Sequence, residues 1–130
     1  MAQAAHNNTI VIVEDDASVS QALARMLRVA GMDPVTFASA EALLASTPAP
    51  VSICLVIDVQ LPGMNGFALR DRLAESGVLP QVVFITAFDD PENRALANRA
   101  GAEFLAKPFT GRSLLDTIRR SVPQDLKPVS

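Results

Sequence analysis

Five short apolar runs punctuate the chain: TIVIV (9–13), PVTF (34–37), SICLVI (52–57), QVVFIT (81–86) and EFLA (103–106). The first, third and fourth carry Val and Ile without alternating polar positions, the pattern of strands covered on both faces. Between the runs the apolar spacing changes to three and four. Val19, Leu23, Met26, Leu27 and Ala30 fall on one helical face, as do Leu114, Leu115, Ile118 and Val122. Three further helices are expected at 39–46, 65–76 and 91–100, the last with Leu96 and Ala100 as its stripe. Gly31, Gly77 and Gly101 each follow a helical segment, where a left-handed cap residue is wanted, and Pro91 suits the first turn of the helix it opens.

Strands alternating with helices five times imply an α/β fold: a single doubly wound, five-stranded parallel sheet with five helices on its two faces. Right-handed crossovers favour the strand order 2-1-3-4-5. In that order the chain reverses direction between strands 1 and 3, and ligands of such sheets bind outside the carboxyl ends of the strands at the reversal. The domain is expected over 9–122, with 1–8 a flexible N-terminal segment and 123–130 a tail or linker stub.

Composition narrows the function. The 130 residues suffice for one core, and 49% of them are hydrophobic, with no Trp or Tyr. A net charge of −3 is the wrong sign for a general nucleic-acid binder. One cysteine, Cys54, excludes an internal disulfide and reads as a buried, inert thiol. No apolar stretch reaches the ~20 residues that span a bilayer, and MAQAAHNN has neither part of a signal peptide, so a cytoplasmic location is expected. His6, the only histidine, lies in a polar terminal segment and reads as solvated.

The strand ends carry the chemistry. Strand 1 runs into Glu14-Asp15-Asp16, strand 3 ends in Asp58, strand 4 in Thr86 and strand 5 in Lys107, all at one edge of the sheet. Each residue has a plain alternative: the acids as a helix cap, Asp58 as a turn former, Thr86 as a strand residue, Lys107 as a solvated loop lysine. Together they are hard to dismiss. Glu14, Asp15 and Asp58 gather three negative charges against one lysine, a repulsion that a hard divalent cation such as Mg²⁺ would relieve. Zinc and copper are disfavoured, because no nearby histidine or second cysteine is available. Asp58, on a central strand beside a metal and an ammonium, is placed as a carboxylate nucleophile for phosphoryl transfer.

From Thr9 to Val122 the sequence resembles a response-regulator receiver domain of bacterial two-component signalling, a flavodoxin-like fold. The resemblance rests on IVEDD at the first strand end, LVIDVQLPGMNG around Asp58, VVFITA ending at Thr86-Ala87, and AKPF with Lys107-Pro108. It implies that Asp58 accepts a phosphoryl group from a sensor histidine kinase or phosphotransfer protein. Asp15, Asp58 and the backbone carbonyl of Gln60 would bind Mg²⁺, with Glu14 reaching it through water. Lys107 would bridge Asp58 and a phosphoryl oxygen, next to a cis Lys107-Pro108 bond. Thr86 would hydrogen-bond the phosphoryl group and, on moving toward it, leave space for Phe104. The altered face, roughly 91–121, would address a downstream effector or a C-terminal output domain. A phosphorylation-dependent homodimer is a further expectation, to which Arg94, Arg99 and Arg119 would contribute unless they are simply solvated. No direct nucleic-acid or membrane contact is implied.

Three positions depart from the family pattern. Glu14 stands where Asp is usual. Phe104 has no hydroxyl, so switching must run on packing. Phe88, two residues past Thr86, is bulky and apolar where a water-orienting polar residue could stand, and would shield an acyl phosphate. Three rival readings remain: the receiver part of a DNA-binding transcriptional regulator, a degenerate receiver that binds partners without phosphorylation, and a metal-dependent aspartyl phosphatase. The last is weakened by Gln60, which is not the general acid such enzymes place two residues past the nucleophile.

Overall fold

The computed structural model describes residues 8–46, 51–77 and 80–122. Five strands, β1 (Thr9–Val13), β2 (Asp33–Phe37), β3 (Cys54–Asp58), β4 (Gln81–Thr86) and β5 (Glu103–Ala106), alternate with five helices. These are α1 (Ala17–Val29), α2 (Ala40–Ala45), α3 (Gly66–Glu75), α4 (Pro91–Arg99) and α5 (Gly111–Ser121). All strand pairs are parallel, in the order β2-β1-β3-β4-β5. The expected fold and topology are therefore observed.

Alternation along each strand divides the core. Ile10, Ile12, Cys54, Val56, Val83 and Ile85 point to the face covered by Leu23 and Leu27 of α1 and Leu114 and Ile118 of α5. Val11, Val13, Leu55, Ile57, Val82 and Phe84 point to the opposite face, under Leu43 of α2, Leu69 of α3 and Ala97 of α4. The absence of polar alternation in these strands has this cause: both faces are dry.

Each helix starts at a side-chain cap, supplied in turn by Asp16, Ser39, Asn65, Asp90 and Thr110. Asp16 Oδ1 accepts from the backbone N–H groups of Ser18 (2.9 Å) and Val19 (3.2 Å), so the last acid of the triplet serves the helix. Pro91 occupies the first turn of α4 as expected. Gly31, Gly77 and Gly101 have φ of +85°, +84° and +69°, confirming the left-handed exits from α1, α3 and α4.

Boundaries differ slightly from the pattern. β3 begins at Cys54 rather than Ser52, because its pairing with β1 starts at Ile10–Cys54, and it includes Asp58, which pairs with Ile85 of β4. β2 gains Asp33 through its pairing with Thr9. Of the expected terminal segments, 1–7 and 123–130 lie outside the described residues, His6 among them. Asn8 is tied down, its side-chain amide donating to the Gly31 carbonyl (2.7 Å).

Candidate functional site

The loops at the carboxyl ends of β1, β3, β4 and β5 meet over the reversal between β1 and β3. Asp58 is the last residue of β3 and Glu14 directly follows β1, so both carboxylates rise from buried strands and are themselves buried. Lys107, just past β5, is brought over them by a short backbone bond from its own N–H to the Thr86 carbonyl (2.7 Å). Its ammonium donates to Glu14 Oε1 at 2.8 Å and to Asp58 Oδ2 at 3.0 Å. The Lys107-Pro108 peptide is cis, as expected.

The remaining carboxylate oxygens are also engaged. Asp58 Oδ1 accepts the backbone N–H of Gln60 (2.9 Å), and Glu14 Oε2 accepts that of Asp16 (3.1 Å). Asp15 is exposed and faces the cleft lined by Val59, Gln60, Leu61, Pro62 and Asn93. One ligand oxygen from each of Glu14, Asp15 and Asp58 falls within 4.8 Å of the other two, a spacing that one oxygen-loving divalent cation bridges. The donor set fits such an ion, with hard oxygens and no sulfur or imidazole among them.

Burial holds the Glu14 carboxyl above its ordinary range, outweighing the lowering effect of hydrogen bonds from Lys107 and the Asp16 amide. Burial also opposes the charge on Lys107, but its bonds to Glu14 and Asp58 more than offset this and hold the ammonium above its usual range. The cluster sets the carboxyl groups of Glu14, Asp15 and Asp58 against the one ammonium of Lys107.

Two close approaches set the loop after Asp58. Gly66, at the start of α3, lies against β3: a methyl group there would sit 2.5 Å from the Asp58 carbonyl oxygen. Gly63 turns the chain with φ of +73°, and Glu41 of α2 braces the next residue by accepting the Met64 N–H (2.9 Å).

The family model of the response regulator receiver domain matches residues 10–119. The chain belongs to this family. Among curated relatives, nodulation protein W of Bradyrhizobium diazoefficiens is 37% identical over 119 residues, 91% of this chain and 52% of that protein. The transcriptional regulatory protein TdiR of Thauera aromatica is 32% identical over 88% of this chain and 51% of its own length. This receiver domain thus spans about half the length of these relatives. Among solved structures, the response regulator StyR matches with a TM-score of 0.77 at 40% identity, covering 88% of this chain and 58% of that one. Vibrio cholerae chemotaxis protein CheY4 matches with a TM-score of 0.79 at 25% identity, covering 89% and 99%.

The structure brings Glu14, Asp15, Asp58, Gln60, Thr86 and Lys107 of the receiver domain to one edge, where the sequence placed them. Phe104 lies apart, on β5, packed against the core beside α4. Several side-chain contacts near this edge were not foreseen from the sequence. The Gln60 side chain accepts a hydrogen bond from the Thr86 hydroxyl. Asn93 Nδ2 donates to the Phe88 carbonyl (3.0 Å). Arg94 of α4 stacks its guanidinium over the Phe104 ring, 4.9 Å from the centroid, and is paired with Asp89 through Nε and through Nη2 (3.0 Å). The only sequence signal for this clamp is the five-residue spacing between opposite charges.

Proposed function

We propose that this receiver domain is charged at Asp58 by a phosphohistidine donor and that the change is read on the face formed by α4, β5 and α5. The observation that carries the proposal is the one ammonium shared by Glu14 and Asp58, with Asp15 close enough to hold an ion in common with them. In the transfer, a lone pair of an Asp58 carboxylate oxygen forms the new O–P bond while the N–P bond of the donor breaks. The leaving imidazole nitrogen keeps that electron pair and takes up a proton. Negative charge accumulates on the three peripheral phosphoryl oxygens, and aiming preorganised donors at them is the main work of the site.

Lys107 has three N–H donors; two are on Glu14 and Asp58, which leaves one for a phosphoryl oxygen. Thr86 supplies a hydroxyl to another. Mg²⁺ would be held by Asp15, Asp58 and the Gln60 backbone carbonyl, with Glu14 reached through water, and supplies fixed positive charge when bound. Phe88, 59% exposed beside Thr86, would shield the acyl phosphate from water.

Thr86 moving toward the phosphoryl group would open space for Phe104, and the packing of α4 and β5 would follow. A histidine kinase or phosphotransfer protein upstream, an effector or output domain downstream, and a homodimer across 91–121 are the partners proposed. TdiR is named a transcriptional regulatory protein, which supports an output of that kind for a longer chain. The location proposed is cytoplasmic; among the described residues no helix is long and apolar enough to cross a membrane.

The test is incubation with acetyl phosphate and Mg²⁺, followed by intact mass. Wild type should gain one phosphoryl group and Asp58→Ala none. Equal gain in both, or none in either, overturns the assignment. Phe88→Glu should shorten the lifetime of the charged form; an unchanged hydrolysis rate removes the shielding role.

A further inference from the structure

Thr86 is fully buried, and its hydroxyl has a single proton to give. In the structure that proton is directed to Oε1 of Gln60, while the same Oγ1 accepts the backbone N–H of Phe88 at 3.0 Å. Gln60 itself is an exposed residue whose side chain folds down over Thr86, two residues past Asp58. Its own backbone N–H is engaged with Asp58 Oδ1, so the amide that holds Thr86 springs from a residue anchored on the acceptor carboxylate.

We infer that the Gln60 side chain is a positioning group that competes with the phosphoryl group for the Thr86 proton and so sets the threshold of the switch. The inference rests on Asp58 being the phosphoacceptor. A buried hydroxyl left without an acceptor is costly, so Thr86 has two favoured states: donating to Gln60, or donating to a phosphoryl oxygen. The second acceptor is anionic and stronger, and it wins once the phosphoryl group is present. Releasing Gln60 costs little, because an exposed amide rehydrates. The Phe88 N–H follows Thr86 Oγ1, and Asn93 holds the Phe88 carbonyl, so the exchange is passed to the loop that opens α4. Gln60 thus weights the uncharged arrangement without touching Phe104.

The test uses Gln60→Met, which keeps the length of the side chain and the backbone carbonyl but removes the acceptor. Beryllofluoride with Mg²⁺ serves as the phosphoryl mimic, and affinities are measured for wild type, Gln60→Met, Thr86→Ala and the double variant. With the competing acceptor gone, Gln60→Met should bind the mimic about three- to tenfold more tightly, the worth of one ordinary hydrogen bond. The gain should vanish in the Thr86→Ala background. A weakened affinity would make Gln60 a direct phosphoryl ligand; that result, an unchanged affinity, or a gain that survives Thr86→Ala each overturns the inference.

A second measurement does not depend on the phosphoacceptor assignment. In the uncharged protein, Gln60→Met should shift the Thr86 methyl and Phe88 amide resonances, and unmoved resonances overturn the inference. Failure of the wild type to bind beryllofluoride, or binding that persists in Asp58→Ala, refutes the phosphoacceptor instead, and the resonance shifts then decide the Gln60 contact alone.

Discussion

Strands β3 and β5 belong to one sheet and are separated only by β4, yet they live in different surroundings. Every residue of β3 is buried, down to the carboxylate that ends it. Every residue of β5 is half-buried, and among the described residues β5 pairs on one side only. A strand packed on both faces and both edges holds its side chains within narrow limits, as a nucleophile requires. An edge strand whose aromatic residue is covered by a surface arginine can repack at low cost. On the proposed function, the receiver domain keeps its chemistry on the first kind of strand and its switch on the second.

The sharpest way to break this comparison is to hollow out each strand. Phe84, fully buried and 4.6 Å from the Phe67 ring, faces the same core as Ile57. Ile57→Ala in β3 should cost about 2–5 kcal/mol in urea unfolding, and Phe84→Ala in the adjoining β4 about 3–5 kcal/mol. Phe104→Ala should cost about 1–2 kcal/mol, less than a fully buried ring because its cover is partial. Equal losses would make β5 as much a part of the scaffold as β3.

Removing the shared cation comes next. Lys107→Met should slow phosphoryl uptake from a small donor about 10²–10³-fold, the range for loss of one preorganised donor. Mass spectrometry against time measures it.

A smaller effect follows from pH. The folded chain holds the Glu14 carboxyl above its ordinary value of 4.5 because burial disfavours the charge. Such a group binds its proton more tightly folded than unfolded, so its contribution is complete below about that value and lost as pH rises through the folded one. Without added metal, the stability difference between wild type and Glu14→Gln should therefore move against wild type as pH rises from the ordinary value toward neutrality. A difference that does not vary with pH would show that Glu14 titrates normally.

The mildest probe leaves the fold alone. Burial pushes the Cys54 thiol, in β3, up to about 12, so a thiol reagent should not label it at pH 8 until the chain unfolds. A second cysteine placed by Glu103→Cys in β5 should be labelled in the folded state.

The parts legible in the sequence are those that burial dictates. Runs such as IVIV and VVFI read as strands covered twice, and a polar residue ending each run marked the edge where a site would form. The triplet after β1 was harder, since its members share a residue class but not a task. Glu14 is buried against Lys107, Asp15 faces the cleft and Asp16 caps α1. The pairings of Gln60 with Thr86, Arg94 with Phe104 and Glu41 with Met64 left no periodic trace. Each depends on where a loop carries an exposed side chain, and loop geometry follows from the assembled sheet rather than from local pattern.

Glu14 and Lys107 touch across 93 residues of sequence. The acids leave the ribosome well before the ammonium, so a nascent polypeptide holds only half of the constellation until β5 has been made and has docked. On the proposed function, a truncated product that stops short of β5 lacks the shared ammonium and stays silent in signalling.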